Sequence, residues 1–280
     1  MQENEKMDYE RRFGGITRLY GREGLARFAN ARVAVIGIGG VGSWVVEALV
    51  RSGVGALALI DLDHVAESNV NRQLHAIEGQ FGRAKVDAMA ERVLAINPEC
   101  RVTLHDAFIT PDNLQQLLDG PLDFVVDCID AFRTKAALIA HCRRARIRLL
   151  TVGGAGGQVD PLKIRLADLY RTQHDPLLAK TRKLLRKEYG FPSNPKRRFD
   201  IACVYSDEQP CYPDGEGGVC SVKPEGGGSA GGLHCGGFGS VMSVTAGFAM
   251  VATAHVLKRL AAGNGNMGDT QAARAASSRV

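Results

Sequence analysis

Three observations predict an α/β protein with a doubly wound, mostly parallel, Rossmann-like sheet and a C-terminal extension. Short apolar runs alternate with helical stretches as far as Val152, a GxGxxG loop stands at the first strand–helix junction, and an acidic residue ends the second strand. Residues 9–30 read as a helical arm, with Ile16, Leu19, Leu25 and Phe28 among arginines. Residues 31–36 (ARVAVI) form a β-rich run, residues 43–50 (SWVVEALV) have helical length, and residues 55–60 (GALALI) form a second buried strand. Strand, glycine turn, helix and strand make one βαβ unit, whose crossover forces parallel pairing. The alternation continues with a helix at 85–96, a strand at 101–105, a helix near 112–118, a strand at 124–127, a helix at 135–144 and a strand at 148–152. Beyond Gly157 the rhythm breaks: residues 162–166 suit a strand, 176–189 a basic helix, 212–239 a glycine-rich excursion and 238–260 a closing helix. The expected organisation is an arm at 1–30, a nucleotide-binding domain at 31–260 with basic and glycine-rich insertions, and a disordered tail at 261–280.

Composition narrows the function classes. The chain carries 33 glycines in 280 residues, against an average usage of about 7%. They cluster at Gly37–Gly42, at Gly153–Gly157 and between Gly215 and Gly239, without the period of three that collagen requires. A net charge of +5 permits an anionic partner without demanding one. Seven widely spaced cysteines, no CxxC pair and a charged N-terminus lead us to expect a cytoplasmic protein without a four-cysteine zinc site. Residues 236–257 pass without a formal charge, about the length of a membrane span. Their Gly, Ser, Thr and Ala content favours a buried helix or subunit interface over membrane association.

Gly37, Gly39, Gly40 and Gly42 satisfy GxGxxG between a strand and a helix, where backbone amides and a helix N-terminus receive phosphate. Asp61 follows Gly42 by nineteen residues, placed for a ribose diol. The same loop without a ligand would serve helix–sheet packing alone. Asp63 and the polar run containing Asn69, Arg72 and Gln73 come next, then Lys85, and none has an obvious use in hydride transfer. Arg72 and Lys85 suit a triphosphate and its departing pyrophosphate, and Asp130 of the Asp127-Cys128-Ile129-Asp130 run suits Mg²⁺. Taken singly, the two cations read equally as solvated charges and Asp130 as a helix N-cap.

The order GxGGxG, DxD, SNxNRQ, a lysine twelve residues after Gln73, and DCxD resembles the adenylating domain of the ubiquitin-activating-enzyme superfamily over residues 31–159. That resemblance implies ATP and Mg²⁺ as cofactors. It implies contacts from Gly39, Gly40, Gly42, Asn69, Arg72 and Lys85 to phosphate, from Asp61 to ribose and from Asp130 to metal. It offers Arg12 or Arg18 of the N-terminal segment to a partner subunit's ATP. The opening RRFGGITRLYG, VGGAGGQVDP, Cys203, the Tyr212-Pro213 pair and the uncharged last helix are similar to the tRNA threonylcarbamoyladenosine dehydratase branch, to about residue 260. This likeness implies activation of a threonylcarbamoyl carboxylate on tRNA, intramolecular closure with net loss of water, a homodimer, and association with a cysteine desulfurase system.

A tRNA substrate needs cations. Lys180, Arg182, Lys183, Arg186, Lys187, Lys196, Arg197 and Arg198 supply eight against Glu188 alone, a density suited either to an RNA backbone or to a solvated basic helix. Cys203, Cys220 and Cys235 are the cysteines placed for reactivity or sulfur acceptance, although an intramolecular nucleophile needs no enzyme thiol. Three rival readings stay open: a sulfur-carrier or ubiquitin-like protein activator, an NAD-dependent oxidoreductase, and a non-catalytic nucleotide-binding RNA adaptor.

Overall fold

The apolar run Arg32–Ile36 forms β1 in a computed structural model of the chain, which describes residues 7–194, 197–214, 217–220 and 238–263. Helix α1 (Tyr9–Asn30) precedes it, capped by the Asp8 carboxylate. There follow α2 (Gly42–Arg51), β2 (Ala56–Ile60), α3 (Lys85–Ile96), β3 (Arg101–His105), the short α4 (Leu114–Leu117), β4 (Phe124–Asp127), α5 (Phe132–Ala145) and β5 (Leu149–Val152). Every one of these elements overlaps its sequence expectation. The second part of the chain adds β6 (Ile164–Asp168), α6 (Pro176–Glu188), β7 (Ala202–Ser206), the hairpin of β8 (Tyr212–Pro213) and β9 (Val219–Cys220), and α7 (Met242–Ala261).

Seven strands form one sheet in the order β3-β2-β1-β4-β5-β7-β6, all parallel except edge strand β6. The periodicity of the sequence marks β6 but not β7, which slots between β5 and β6 and continues the parallel array. Alternate strand residues face opposite layers. Val33, Val35, Leu57, Leu59 and Val126 pack against α2, α3 and α7. Ala34, Ile36, Ile60 and Val125 pack against α4, α5 and α6. The order reverses at β1, so the carboxyl ends of β1 and β4 open the crevice where sheets of this type take ligands.

The uncharged final stretch resolves as a core helix. Val244, Phe248, Ala249, Ala252, Val256 and Leu257 of α7 are buried in the same cluster as α2. Among the described residues no helix is long and apolar enough to cross a membrane. Most of the glycine-rich excursion, and residues 264–280 of the expected tail, lie outside the described residues.

A fully buried ionic cluster closes the top of β4 and β5. Lys135 of α5 donates from Nζ to Asp127 Oδ2 at 2.8 Å and to Thr151 Oγ1 at 3.1 Å, and the Thr151 hydroxyl donates to the same Asp127 oxygen at 2.6 Å. The Ile129 amide donates to Asp127 Oδ1 at 3.0 Å, so one carboxylate fixes both the β4–α5 turn and the neighbouring strand. Removing one partner of such a pair strands a charge in the core, whereas removing both is far milder. Lys135→Met is therefore expected to cost about 3–5 kcal/mol in urea unfolding, and the double variant Lys135→Met/Asp127→Leu less than the single.

Candidate functional site

The crevice is built from the loop after β1. Gly37 adopts φ +86°, and a Cβ there would lie 2.9 Å from the Cys128 carbonyl, so the loop and the β4–α5 turn meet backbone to backbone. At Gly42 a Cβ would stand 1.8 Å from the Gly37 carbonyl, which excludes any side chain at the first residue of α2. Ser43 pins the loop from inside: its hydroxyl donates to the Gly39 carbonyl at 2.7 Å and accepts from the Leu74 amide at 3.2 Å. Asp61, at the end of β2, accepts from the Ile38 amide at 2.5 Å and from the Asp63 amide at 2.8 Å. Burial raises its carboxyl pKa, opposed by nearby Lys85 and by the two amides. A carboxylate has about four acceptor sites, so two remain for a ribose diol.

The polar run after β2 folds into a tight turn rather than a loose loop. Residues Glu67–Asn69 form a 3₁₀ turn, the Asn69 carbonyl accepts from the Arg72 and Gln73 amides, and Asn69 Oδ1 accepts from the Ala66 amide at 3.2 Å. Trp44 donates its indole N–H to the Arg72 carbonyl at 3.0 Å, which anchors the turn on α2. The Arg72 side chain lies over the glycine loop, where a methyl at Gly40 would sit 3.3 Å from its Cγ and from Thr245 Cγ2. Its guanidinium bonds the Ser68 carbonyl and Asn71 Oδ1 through Nη1, leaving Nε and Nη2 for a ligand. Lys85, 5% exposed, holds the exposed Asp63 carboxylate at 2.7 Å. An ion pair open to water on one side is weak, so phosphate can compete for the ammonium.

Two buried polar side chains in this wall lack partners. Gln73 Oε1 has none, and Gln73 Nε2 lies 3.8 Å from where a methyl on Gly39 would stand. His75 was not singled out by its residue type or spacing, yet it is 3% exposed beneath the glycine loop. Neither of its ring nitrogens has a hydrogen bond of normal geometry, although the Ile38 backbone bears on the ring. Burial, then the charge of Lys85, push its pKa down to about 4, so the ring is neutral at pH 7. Buried groups left unpaired are normally met by ordered water or a ligand.

Asp130 is exposed on the turn that abuts Gly37. The next strand adds the second glycine cluster. Asp175, the N-cap of α6, accepts from the Gly154 amide at 2.8 Å and from the Leu178 amide at 2.9 Å. The segment entering α7 crosses the same rim: Asn71 donates to the Ser240 carbonyl at 2.7 Å, and the Gly157 amide donates to the Gly239 carbonyl at 2.7 Å. The crevice thus gathers Asp61, Asp63, Asn69, Arg72, Gln73, Lys85 and Asp130 around Gly37–Gly42.

Residues 9–273 match the model of the ThiF family. The chain belongs to the ThiF family. Within it, the tRNA threonylcarbamoyladenosine dehydratase of Escherichia coli K12 is 49% identical over 254 residues, covering 91% of this chain and 95% of that protein. The dehydratase of Bacillus subtilis is 42% identical over 190 residues, 68% of this chain and 72% of that protein. A solved structure of the E. coli enzyme in complex with ATP superposes with a TM-score of 0.80 at 47% identity, covering 90% of this chain and 95% of that one. A second, described as TcdA (CsdL), has a TM-score of 0.83 at 49% identity over the same shares. The fold of this ThiF-family chain is therefore the Rossmann-like α/β fold that the sequence predicts.

The basic stretch divides. Lys180, Lys183 and Lys187 are exposed on α6 and Arg197 is exposed beyond it. Arg182 is half-buried against Thr172, Arg186 lies over the Phe199 ring and bonds the Pro192 carbonyl, and Arg198 pairs with Asp168 and Asp200. Arg182 and Arg186 have work inside the fold, while Arg198 stays exposed in its ion pairs; Lys196 lies outside the described residues. Cys203 is fully buried in β7, and burial raises its thiol well above the ordinary value, which removes it as an accessible thiolate for catalysis or sulfur acceptance. Cys220 is half-buried, and Cys235 lies outside the described residues. Arg12 donates to the Ile96 carbonyl at 2.7 Å, at the end of α3 away from the crevice of its own chain, and Arg18 is exposed.

The neutral His75 carries a pH consequence. Its folded pKa of about 4 lies below the unfolded 6.5, so its contribution is complete above pH 6.5 and is lost as pH falls toward 4. The loss is on the order of 3 kcal/mol, from about 1.4 kcal/mol per pKa unit. Urea unfolding at pH 7 and pH 4 is expected to show a smaller drop for His75→Leu than for the parent, by about that amount.

Proposed function

We propose that this chain is an ATP-dependent tRNA threonylcarbamoyladenosine dehydratase, converting the modified adenosine beside the anticodon to its cyclic form with net loss of one water. The arrangement of Asp61, Arg72 and Lys85 around one glycine loop, with Asp130 exposed on the turn that meets Gly37, supports the reading, in a chain 49% identical to a protein of that name. ATP supplies activation: the substrate carboxylate attacks its α-phosphate, giving an acyl adenylate and pyrophosphate. The loop amides and the start of α2 receive phosphate oxygens, and the spare acceptor sites of Asp61 receive the ribose. Lys85 turns from Asp63 to phosphate, and the open face of Arg72 stabilises charge on the departing pyrophosphate. Asp130 would hold Mg²⁺ together with the phosphates, and the ion would supply positive charge to the departing pyrophosphate. A nitrogen or oxygen of the same modification then attacks the activated carbonyl, the bond to the adenylate breaks and AMP leaves with the former carboxylate oxygen, so the enzyme's task is positioning, without a cysteine nucleophile.

The tRNA backbone runs over the exposed cations of α6 and Arg197. The protein is a homodimer, supported by large apolar side chains left exposed on and near edge strand β6 and on α7, among them Leu162 at 84%, Leu166 and Met250. Sedimentation of the purified chain is expected at twice its 30.0 kDa mass. Incubation with ATP, Mg²⁺ and tRNA carrying threonylcarbamoyladenosine is expected to yield nucleoside lighter by one water in mass spectrometry. Unchanged nucleoside, together with pyrophosphate exchange driven by a protein with a Gly-Gly tail, would make the chain a carrier-protein activator instead. Arg72→Ala and Asp130→Ala are each expected to lower turnover by roughly 10²–10³, the scale for losing one charge-stabilising group, with unchanged thermal unfolding.

A further inference from the structure

We propose that α5 forms, with α6, one cationic track that carries the tRNA backbone away from the crevice, with Arg133, Arg143, Arg144 and Arg146 as its new members. The proposal rests on the tRNA reading above and deepens it. Both helices start at the crevice rim, α5 just after Asp130 and α6 at Asp175 bound to Gly154, and they pack side by side. Their cations meet at the rim around one ring: Lys180 Nζ lies 5.8 Å and Arg133 Cζ 5.7 Å from the centre of Phe132. At the far end, Arg143 stacks 4.4 Å over Phe191, and beside it opens a hollow of about 250 Å³ lined by Ala140, Arg143, Arg144, Tyr189, Gly190 and Phe191. The ten residue steps from Arg133 to Arg143 span about 15 Å of helix.

The charge on this face is not neutralised from within. The sequences of α5 and α6 contain one acidic residue, Glu188. Among the described residues, no ion pair engages Arg133, Arg143, Arg144, Arg146, Lys180, Lys183 or Lys187. Elsewhere exposed arginines do find carboxylates, as Arg83 finds Glu91. A row of like charges without counter-ions repels itself and gains most from a polyanion. The face also lacks the anchors of other partners: among the described residues, none of the large exposed apolar side chains lies on α5 or α6. A protein interface would carry an apolar centre and a membrane-surface helix an apolar stripe.

The test measures binding of tRNA carrying threonylcarbamoyladenosine as a function of salt, using the full chain and the variant Arg144→Gln/Arg146→Asn. Asparagine suits position 146, where φ is +56°. Each lost phosphate contact lowers the slope of log K against log salt by roughly 0.7–0.9, so the variant is expected to lose about 1.5 and to bind roughly tenfold more weakly at moderate salt. ATP binding and thermal unfolding are expected to stay unchanged, which separates the effect from misfolding. An unaltered slope in this variant, with a reduced slope in Lys183→Gln/Lys187→Gln, would overturn the role of α5 and keep the tRNA reading. A parent chain that binds no tRNA would overturn both. Loss of binding to phosphatidylserine vesicles with tRNA affinity intact would also overturn the proposal, in favour of a lipid surface.

Discussion

The buried contact between Lys135 and Asp127 is the constraint on which the crevice depends. It joins a helix to the strand beside it in a place without water, and the Thr151 hydroxyl and the Ile129 amide complete the hydrogen bonding of the carboxylate. Without that completion a buried ion pair would be a burden on stability. With it, the turn carrying Cys128 to Asp130 has one conformation, and Gly37 can close against the Cys128 carbonyl. The strand ends, the phosphate loop and the acidic turn are then positioned by a single cluster three residues deep.

Around that frame the site is assembled from turns whose side chains are tied to backbone groups. Ser43, Trp44, Asn69 and Asp175 each spend their polar atoms on loop amides or carbonyls. This frees the neighbouring groups for chemistry, because the loops need not reorder when a ligand arrives. Lys85 and Asp63 form the adjustable part. Their pair is buried on the lysine side and wet on the carboxylate side, so the ammonium can exchange partners at small cost. His75 and Gln73 are the reverse, buried groups with open valences beneath the loop.

Beyond the glycine loop, the molecule presents a second chemistry at longer range. The α5–α6 face is cationic and poor in apolar anchors, whereas the edge near Leu162 and Met250 is apolar. The cationic face and the apolar edge are therefore distinct surfaces. Membership of the ThiF family accounts for the crevice; the proposed binding of a large substrate draws on the two outer faces as well.

The sequence by itself determined the α/β alternation, the glycine loop, Asp61 at the strand end and the start of α3 at Lys85. Each is a local pattern, since apolar periodicity and turn chemistry act over a few residues. Arg72 and Asp130 were legible only as members of an ordered set, because either residue alone is equally at home on a wet surface. Only the tertiary structure decided that β7 inserts between β5 and β6, because IACVYS is too short to announce its neighbours. It decided that Arg182 and Arg186 are engaged within the fold while Lys183 and Lys187 face solvent, and that Lys135 meets Asp127 and Thr151 eight and sixteen residues away. Burial and pairing of this kind depend on what other elements bring into contact, and that information is spread over the whole chain rather than written beside the residue it governs.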